Sequence, residues 1–203
     1  MEYLVTMTTR VPGGTAEAAV DDVRAREAAH SRELAAAGHL LRLWRPPLQP
    51  GEWRTLGLFS AADAGRLEKV LASMPLRIWR TDQVTPLAPH ANDPGQPQGG
   101  LRPDEEEFLT EFVRAVPAGT PQAAVARAEA GEQRRTAELG QQGHLLRLWR
   151  LPTPGHALGL WRTASLAGLQ ELLKTLPLDP YMTVDTTPLS RHPSDPVIAA
   201  ADL

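Results

Sequence analysis

Apolar and polar positions along the chain repeat one order of secondary structure twice. Runs of β-branched, aromatic and apolar residues bounded by proline or glycine predict strands, and the alanine-rich, charge-studded stretches between them predict helices. The elements predicted in the first half are a strand at 2–11, a helix ending at Gly38, strands at 39–45 and 53–59, a helix ending at Met74 and a strand at 78–85. The second half predicts the same order from residue 107 onward.

The two halves are copies of one another. Residues 33–45 read ELAAAGHLLRLWR and residues 138–150 read ELGQQGHLLRLWR, so ten of thirteen positions are identical. The copies align with an offset of 105, which becomes 102 after a loop that is shorter by three residues in the second copy. The predicted organisation is one unit at 1–88, a Pro-, Gly- and Gln-rich linker at 89–103, a second unit at 104–192 and a tail at 193–203.

The order βαββαβ in each copy is typical of a ferredoxin-like unit, an α+β fold with two helices on one face of an antiparallel sheet. A single unit of this kind exposes much of its other sheet face. We therefore predict two tandem ferredoxin-like units that pack through these faces as an intrachain pseudo-dimer, of the dimeric α+β barrel type.

The composition limits the classes of function. The chain of 203 residues has no cysteine, which excludes disulfide scaffolds, zinc ribbons and thiol catalysis. Its formal charge of −3 leaves no excess of basic residues, so we expect no nucleic acid partner. No apolar run reaches the ~20 residues of a spanning helix and the start lacks the basic region of a signal peptide, so we expect no membrane partner and a cytoplasmic location. The six histidines lack metal-ligand spacing, and we predict no metal site.

The first long helix of each copy places a glutamate among apolar residues. At ~100° per residue, Glu27 shares a narrow stripe with Val23 and Leu34, and Glu132 shares one with Leu139 in the second copy. An ionised carboxyl in such a setting must find a cation or raise its pKa. A carboxylate whose pKa is raised toward neutrality suits a general base for carbon acids, so Glu27 and Glu132 are candidate catalytic residues.

A structural ion pair is the alternative role for both glutamates. Arg42 alternates with Leu40 and Trp44 on one strand face, and Arg147 occupies the same position in the second copy. Each arginine is a candidate partner for the glutamate of its own copy. Duplication does not discriminate between the two roles, because both copies inherit either one.

Three segments carry a family resemblance: GHLLRLWR at 38–45, LPLDPYM at 176–182 and SRHPSD at 190–195. Together with the helix glutamate, this set resembles muconolactone Δ-isomerase in both copies. The first copy departs from it with MPLRIW at 74–79. The resemblance implies a ferredoxin-like enzyme that uses no cofactor. Such enzymes pair through their sheets, assemble into rings, and shift a proton within an unsaturated lactone that bears a carboxymethyl group, on the β-ketoadipate route.

The same resemblance implies roles for individual residues. Glu27 and Glu132 correspond to the base, and Arg42 and Arg147, with Arg45 and Arg150 beside them, correspond to groups that bind the substrate carboxylate. The third strand contributes pocket residues in the family, which places Trp53, Thr55 and His156 at the substrate. The expected partners are a small lactone or dienoic acid and further copies of the chain, in a homo-oligomer that forms a ring of pseudo-dimers.

Two other functions remain open from the sequence. The family's third-strand tyrosine and asparagine are replaced here, which is compatible with a non-catalytic binding or assembly module that has kept the fold. A cofactor-independent monooxygenase is the third possibility, on the analogy of the paired ferredoxin-like sheets. A water-filled cavity of roughly 300 Å³ or more with the carboxylate at its floor favours an enzyme, whereas arginine–glutamate pairs without a cavity favour the structural role.

Overall fold

The computed structural model describes residues 1–95, 102 and 104–201. It divides into unit 1, made of Met1–Leu87 and Ser190–Leu203, and unit 2, made of Ala88–Leu189. This division differs from the predicted one at both boundaries. The start of the predicted linker belongs to unit 2, where Asp93 pairs with Arg147, and the predicted tail belongs to unit 1, where Asp195 pairs with Arg42. The remaining linker positions, 96–101 and 103, lie outside the described residues.

Unit 1 has the predicted βαββαβ order. Its elements are β1 (Glu2–Thr9), α1 (Glu17–Ala36), β2 (Leu40–Arg45), β3 (Arg54–Ser60), α2 (Ala64–Ser73), a 3₁₀ helix (Pro75–Trp79) and β4 (Arg80–Pro89). The strands pair antiparallel in the order β4-β1-β3-β2, as in a ferredoxin-like sheet. Alternate residues of β1 are buried, and Tyr3, Val5 and Met7 enter a core shared with both helices.

Unit 2 repeats this order. Its elements are β5 (Glu106–Arg114), α3 (Gln122–Gln141), β6 (Leu145–Arg150), β7 (His156–Thr163), α4 (Leu166–Leu173), a 3₁₀ helix (Asp179–Tyr181) and β8 (Met182–Arg191). The strand order is β8-β5-β7-β6. The end of β8 belongs to unit 1, where Ser190 and Arg191 pair with β2, and the short helix α5 (Pro196–Ala201) follows them. The prediction of an α+β chain of two ferredoxin-like units is confirmed.

The long helices end where the sequence predicts. Gly38 and Gly143 follow α1 and α3 with φ of +73° and +78°, a conformation that glycine adopts without strain.

Over the described part of the chain, no helix combines the length and hydropathy that crossing a membrane requires.

A β-bulge in β2 decides which arginine faces the helices. The pairing with β3 shifts between Leu40 and Arg42, so the alternation of side chains reverses at this point. Leu40 and Leu43 both lie in the core, three residues apart. Arg45 therefore shares a face with Leu43, and Arg42 points to the opposite side. The same shift occurs in β6, between Leu145 and Arg147.

Candidate active site

Glu27 projects from α1 toward the sheet, and its side chain is 13% exposed. The backbone N–H of Leu76 donates to Oε2 at 2.8 Å, and the guanidinium of Arg80 lies 3.1 Å from Oε1. Burial raises the pKa of the Glu27 carboxyl, and the Leu76 N–H and Arg80 oppose this shift. The predicted inward position of Glu27 is thus confirmed, but its cation is Arg80 and not Arg42.

Arg80, the first residue of β4, is buried between two carboxylates. Its side chain is 2% exposed and donates from Nε to Oδ1 of Asp82 at 2.7 Å, besides its contact with Glu27. Arg77 reaches the other oxygen of Asp82. Arg80 holds Glu27 in place, but its positive charge is shared with Asp82. It therefore compensates Glu27 only in part, and the pKa of Glu27 stays raised.

A cavity of about 380 Å³ opens beside Glu27 within unit 1. Polar and aromatic side chains from several elements converge on it: Glu27, Arg45, Trp53, Thr55, Arg80 and His192. Methionine and leucine side chains form much of the remaining wall. A concave, largely apolar space with a few convergent polar groups is typical of a small-molecule site.

Two further arginines make this cavity attractive to anions. Arg45 lines the wall at the end of β2, and its guanidinium has no ion-pair partner in the described part of the chain. Arg24 stacks over the ring of Trp53, with the guanidinium carbon 4.5 Å from the ring centroid. The cavity therefore presents a base on one wall and a free cation on another.

The segment that follows β8 closes one side of this cavity with His192. It is held to β2 by a buried ion pair in which Arg42 Nη2 lies 3.0 Å from Oδ2 of Asp195. The backbone N–H of Leu43 also donates to Asp195, and the N–H of His192 donates to the carbonyl of Leu43. Arg42 thus fixes the segment that carries His192.

Glu132 in unit 2 has the same backbone contact but a different environment. The N–H of Leu178 donates to its Oε2 at 3.0 Å, and no cation of the described residues pairs with it. Met182 stands where Arg80 stands in unit 1. Burial and the nearby Asp179 raise the pKa of the Glu132 carboxyl. Its pocket measures only about 70 Å³ and is lined mainly by apolar side chains.

A larger opening of about 550 Å³ adjoins this pocket and shares lining residues such as Leu178 and Met182 with it, but Glu132 is not among the described residues that line the opening. His156 and Arg150 line this opening. His156 contacts Glu111 at 3.1 Å, and Arg150 donates to the carbonyl of Pro89.

The predicted site residues fall into three groups. Glu27, Trp53 and Thr55 come together at the unit 1 cavity. Arg42 and Arg147 are separated from the glutamates by the bulges and pair with Asp195 and Asp93 instead. Glu132 and His156 line different spaces of unit 2.

The sequence patterns single out neither Arg80 nor His192 as a site residue. A comparison of the two copies could have indicated Arg80, because Arg80 and Asp82 of the first copy align with the apolar Met182 and Val184 of the second. His192 lies in the RHPS motif, but nothing local indicates that it reaches unit 1. No group of three or more metal-ligating side chains occurs within the described ranges.

Comparison with known proteins agrees with the duplication. The sequence profile of muconolactone delta-isomerase matches residues 1–93 and 107–195. The muconolactone Delta-isomerase of Cupriavidus pinatubonensis is 33% identical over 90 residues, which are 44% of this chain and 95% of that protein. Muconolactone Delta-isomerase 1 of Acinetobacter lwoffii is 29% identical over 90 residues, covering 44% and 91%.

Among solved structures, a mutant chlorite dismutase from Candidatus Nitrospira defluvii superposes with a TM-score of 0.59 at 12% identity. The match covers 98% of this chain and 94% of that one, and this likeness concerns the fold alone.

The two profile matches cover nearly the whole sequence, one per copy. The chain therefore belongs to the muconolactone delta-isomerase family, and it carries the family's domain twice.

Proposed function

We propose that unit 1 is a cofactor-free isomerase that shifts a proton within a small unsaturated lactone carboxylate, with Glu27 as the base. The observation that carries this proposal is a partly desolvated carboxylate on the wall of a cavity of about 380 Å³, a volume suited to a small organic acid. The names of the curated relatives support the same reaction.

The chemistry uses both charged walls of the cavity. The Glu27 carboxylate accepts a proton from the ring carbon next to the double bond that is conjugated with the lactone carbonyl. The product is a dienolate, and Glu27 returns the proton to another carbon of this conjugated system. The double bond moves and the composition is unchanged. Burial strengthens the base, while Arg80 and the Leu76 N–H keep it ionised. Arg45 lines the cavity and forms no ion pair with the described residues, and it binds the carboxylate of the substrate.

We further propose that unit 2 does not catalyse this reaction. No cation of the described residues pairs with its glutamate, and the pocket that this glutamate lines measures about 70 Å³, which is too small for such a lactone. The non-catalytic role considered from the sequence thus suits unit 2, while the enzymatic role suits unit 1.

Single substitutions of the two glutamates test this assignment. Isomerisation of muconolactone is measured for Glu27→Gln, Glu132→Gln and, as a surface control on the same helix, Glu17→Gln. We expect Glu27→Gln to lose about 10²–10⁴-fold in turnover and the other two to stay near the parent chain. Undiminished turnover in Glu27→Gln would eliminate the proposed base, and a loss of about half in each of Glu27→Gln and Glu132→Gln would show that both units work.

A further inference from the structure

The imidazole of His192 lies on the wall of the unit 1 cavity and has no role in the chemistry given so far. The backbone N–H of Ser194 donates to its Nδ1 at 3.1 Å. A nitrogen that accepts a hydrogen bond carries no proton, so the neutral ring must hold its proton on Nε2. No acceptor among the described residues takes the Nε2–H, which leaves this donor available to a molecule in the cavity.

The surroundings keep this ring neutral. Burial, with the nearby Arg45 guanidinium as a smaller effect, lowers the pKa of His192 to about 4. The other charged groups that line the cavity are Arg24, Arg80 and Glu27, and the charge of Glu27 is engaged by Arg80. His192 therefore offers an uncharged N–H donor throughout the neutral pH range.

The position of the ring is fixed from two sides. The backbone N–H of His192 donates to the carbonyl of Leu43 at 3.1 Å, and three residues later Asp195 is buried against Arg42. A donor whose orientation is set before the substrate arrives needs little reorganisation during reaction, which is the property that makes such groups effective.

We propose that His192 is a catalytic residue of unit 1 that donates its Nε2–H to the carbonyl oxygen of the lactone as negative charge develops there. This inference rests on the proposed function, in which Glu27 removes the proton and generates that charge. No proton leaves His192, because the donor shares it with the dienolate oxygen in a hydrogen bond and the oxygen loses its charge when the carbon is reprotonated. A neutral imidazole suits this role, since it stabilises the oxygen without protonating it.

The test uses two substitutions in the full chain, with muconolactone as the probe. His192→Ala removes the ring. His192→Asn removes the Nε2 donor but keeps a side-chain oxygen that can accept the Ser194 N–H, so the local turn survives. His90→Ala is the matched control, because His90 accepts the N–H of Asn92 in the same way at the small pocket of unit 2.

We expect both His192 variants to lose about 10²–10³-fold in kcat with little change in KM, because the bond strengthens only as charge develops. We expect His90→Ala to stay near the parent chain. Glu27→Gln measured in the same assay separates the two proposals. If it is inactive while His192→Asn keeps kcat within threefold, the role of His192 is wrong and the base stands. If Glu27→Gln turns over normally, the proposed function fails and this inference fails with it.

Discussion

Replacing Arg80 with methionine, the residue at the equivalent position of unit 2, tests the electrostatic centre of the unit 1 site. The buried guanidinium donates to Glu27 at 3.1 Å and to both oxygens of Asp82, at 2.7 and 3.2 Å. It also donates to the carbonyl of Leu71 at 3.3 Å. Arg80→Met leaves two carboxylates without this partner in a place where water solvates them poorly.

The size of the effect follows from that burial. Removing one member of a buried ion pair costs about 3–5 kcal/mol, because an uncompensated charge stays behind. The side chain of Asp82 is 3% exposed, although Arg77 still contacts it. We expect Arg80→Met to lower the free energy of unfolding by about 3 kcal/mol at pH 7.5. The double variant Arg80→Met/Asp82→Val reproduces the pair Met182 and Val184 of unit 2, and should recover much of this loss because it removes one of the buried charges.

The loss should also depend on pH in a defined direction. The pKa of Glu27 is already raised by burial, and removal of Arg80 raises it further. A carboxyl whose pKa is raised by folding stabilises the folded state fully at a pH below its pKa in the unfolded chain, 4.5. This stabilisation is lost as the pH rises through the pKa of the folded state. The deficit of Arg80→Met is therefore expected to be larger at pH 7.5 than at pH 5.

Urea denaturation at the two pH values, followed by tryptophan fluorescence, measures both quantities, with Arg66→Met on the exposed face of α2 as the control. The acid limb of the pH–activity profile should move to higher pH in the same variant. A deficit below about 1 kcal/mol, or one that is the same at both pH values, would refute the view that Arg80 compensates Glu27.

Three further perturbations have defined outcomes. Glu132→Gln should stabilise the chain by roughly 1–3 kcal/mol at pH 7.5, because it removes a buried charge with which no cation of the described residues pairs, and the gain should vanish below about pH 4.5. Thermal melts at both pH values check this, and a gain independent of pH would contradict it. Asp195→Ala should release the segment that carries His192, seen as faster amide exchange there and lower activity; unchanged exchange in that segment would argue against the anchor. Gly159→Ala would place a methyl group 2.5 Å from the indole nitrogen of Trp161 and should cost about 1–3 kcal/mol in a thermal melt, whereas Gly13→Ala, with open space around it, should cost far less.

The duplication, the order of elements and the inward position of Glu27 could be predicted from the sequence. All three depend on local patterns: identity between copies, periods of two and 3.6 residues, and glycine at the helix ends. An apolar stripe along a helix determines which face of the helix is buried, whichever element packs against that face. The family resemblance, and not these patterns, placed Trp53 and Thr55 at the substrate, because the family uses its third strand for the pocket.

The partners of these residues depended on the tertiary structure. The uniform run LLRLWR carries no signal of the bulge that turns Arg42 away and brings Arg45 to the cavity. Glu27 lies 53 residues from the arginine that pairs with it. His192 ends the second copy in the sequence but lines the unit 1 cavity. Contacts between distant parts of the chain decide which cation neutralises a buried carboxylate and which ring lies in the same cavity. Two helices that both carry a glutamate on the buried stripe therefore end in sites as different as those of Glu27 and Glu132.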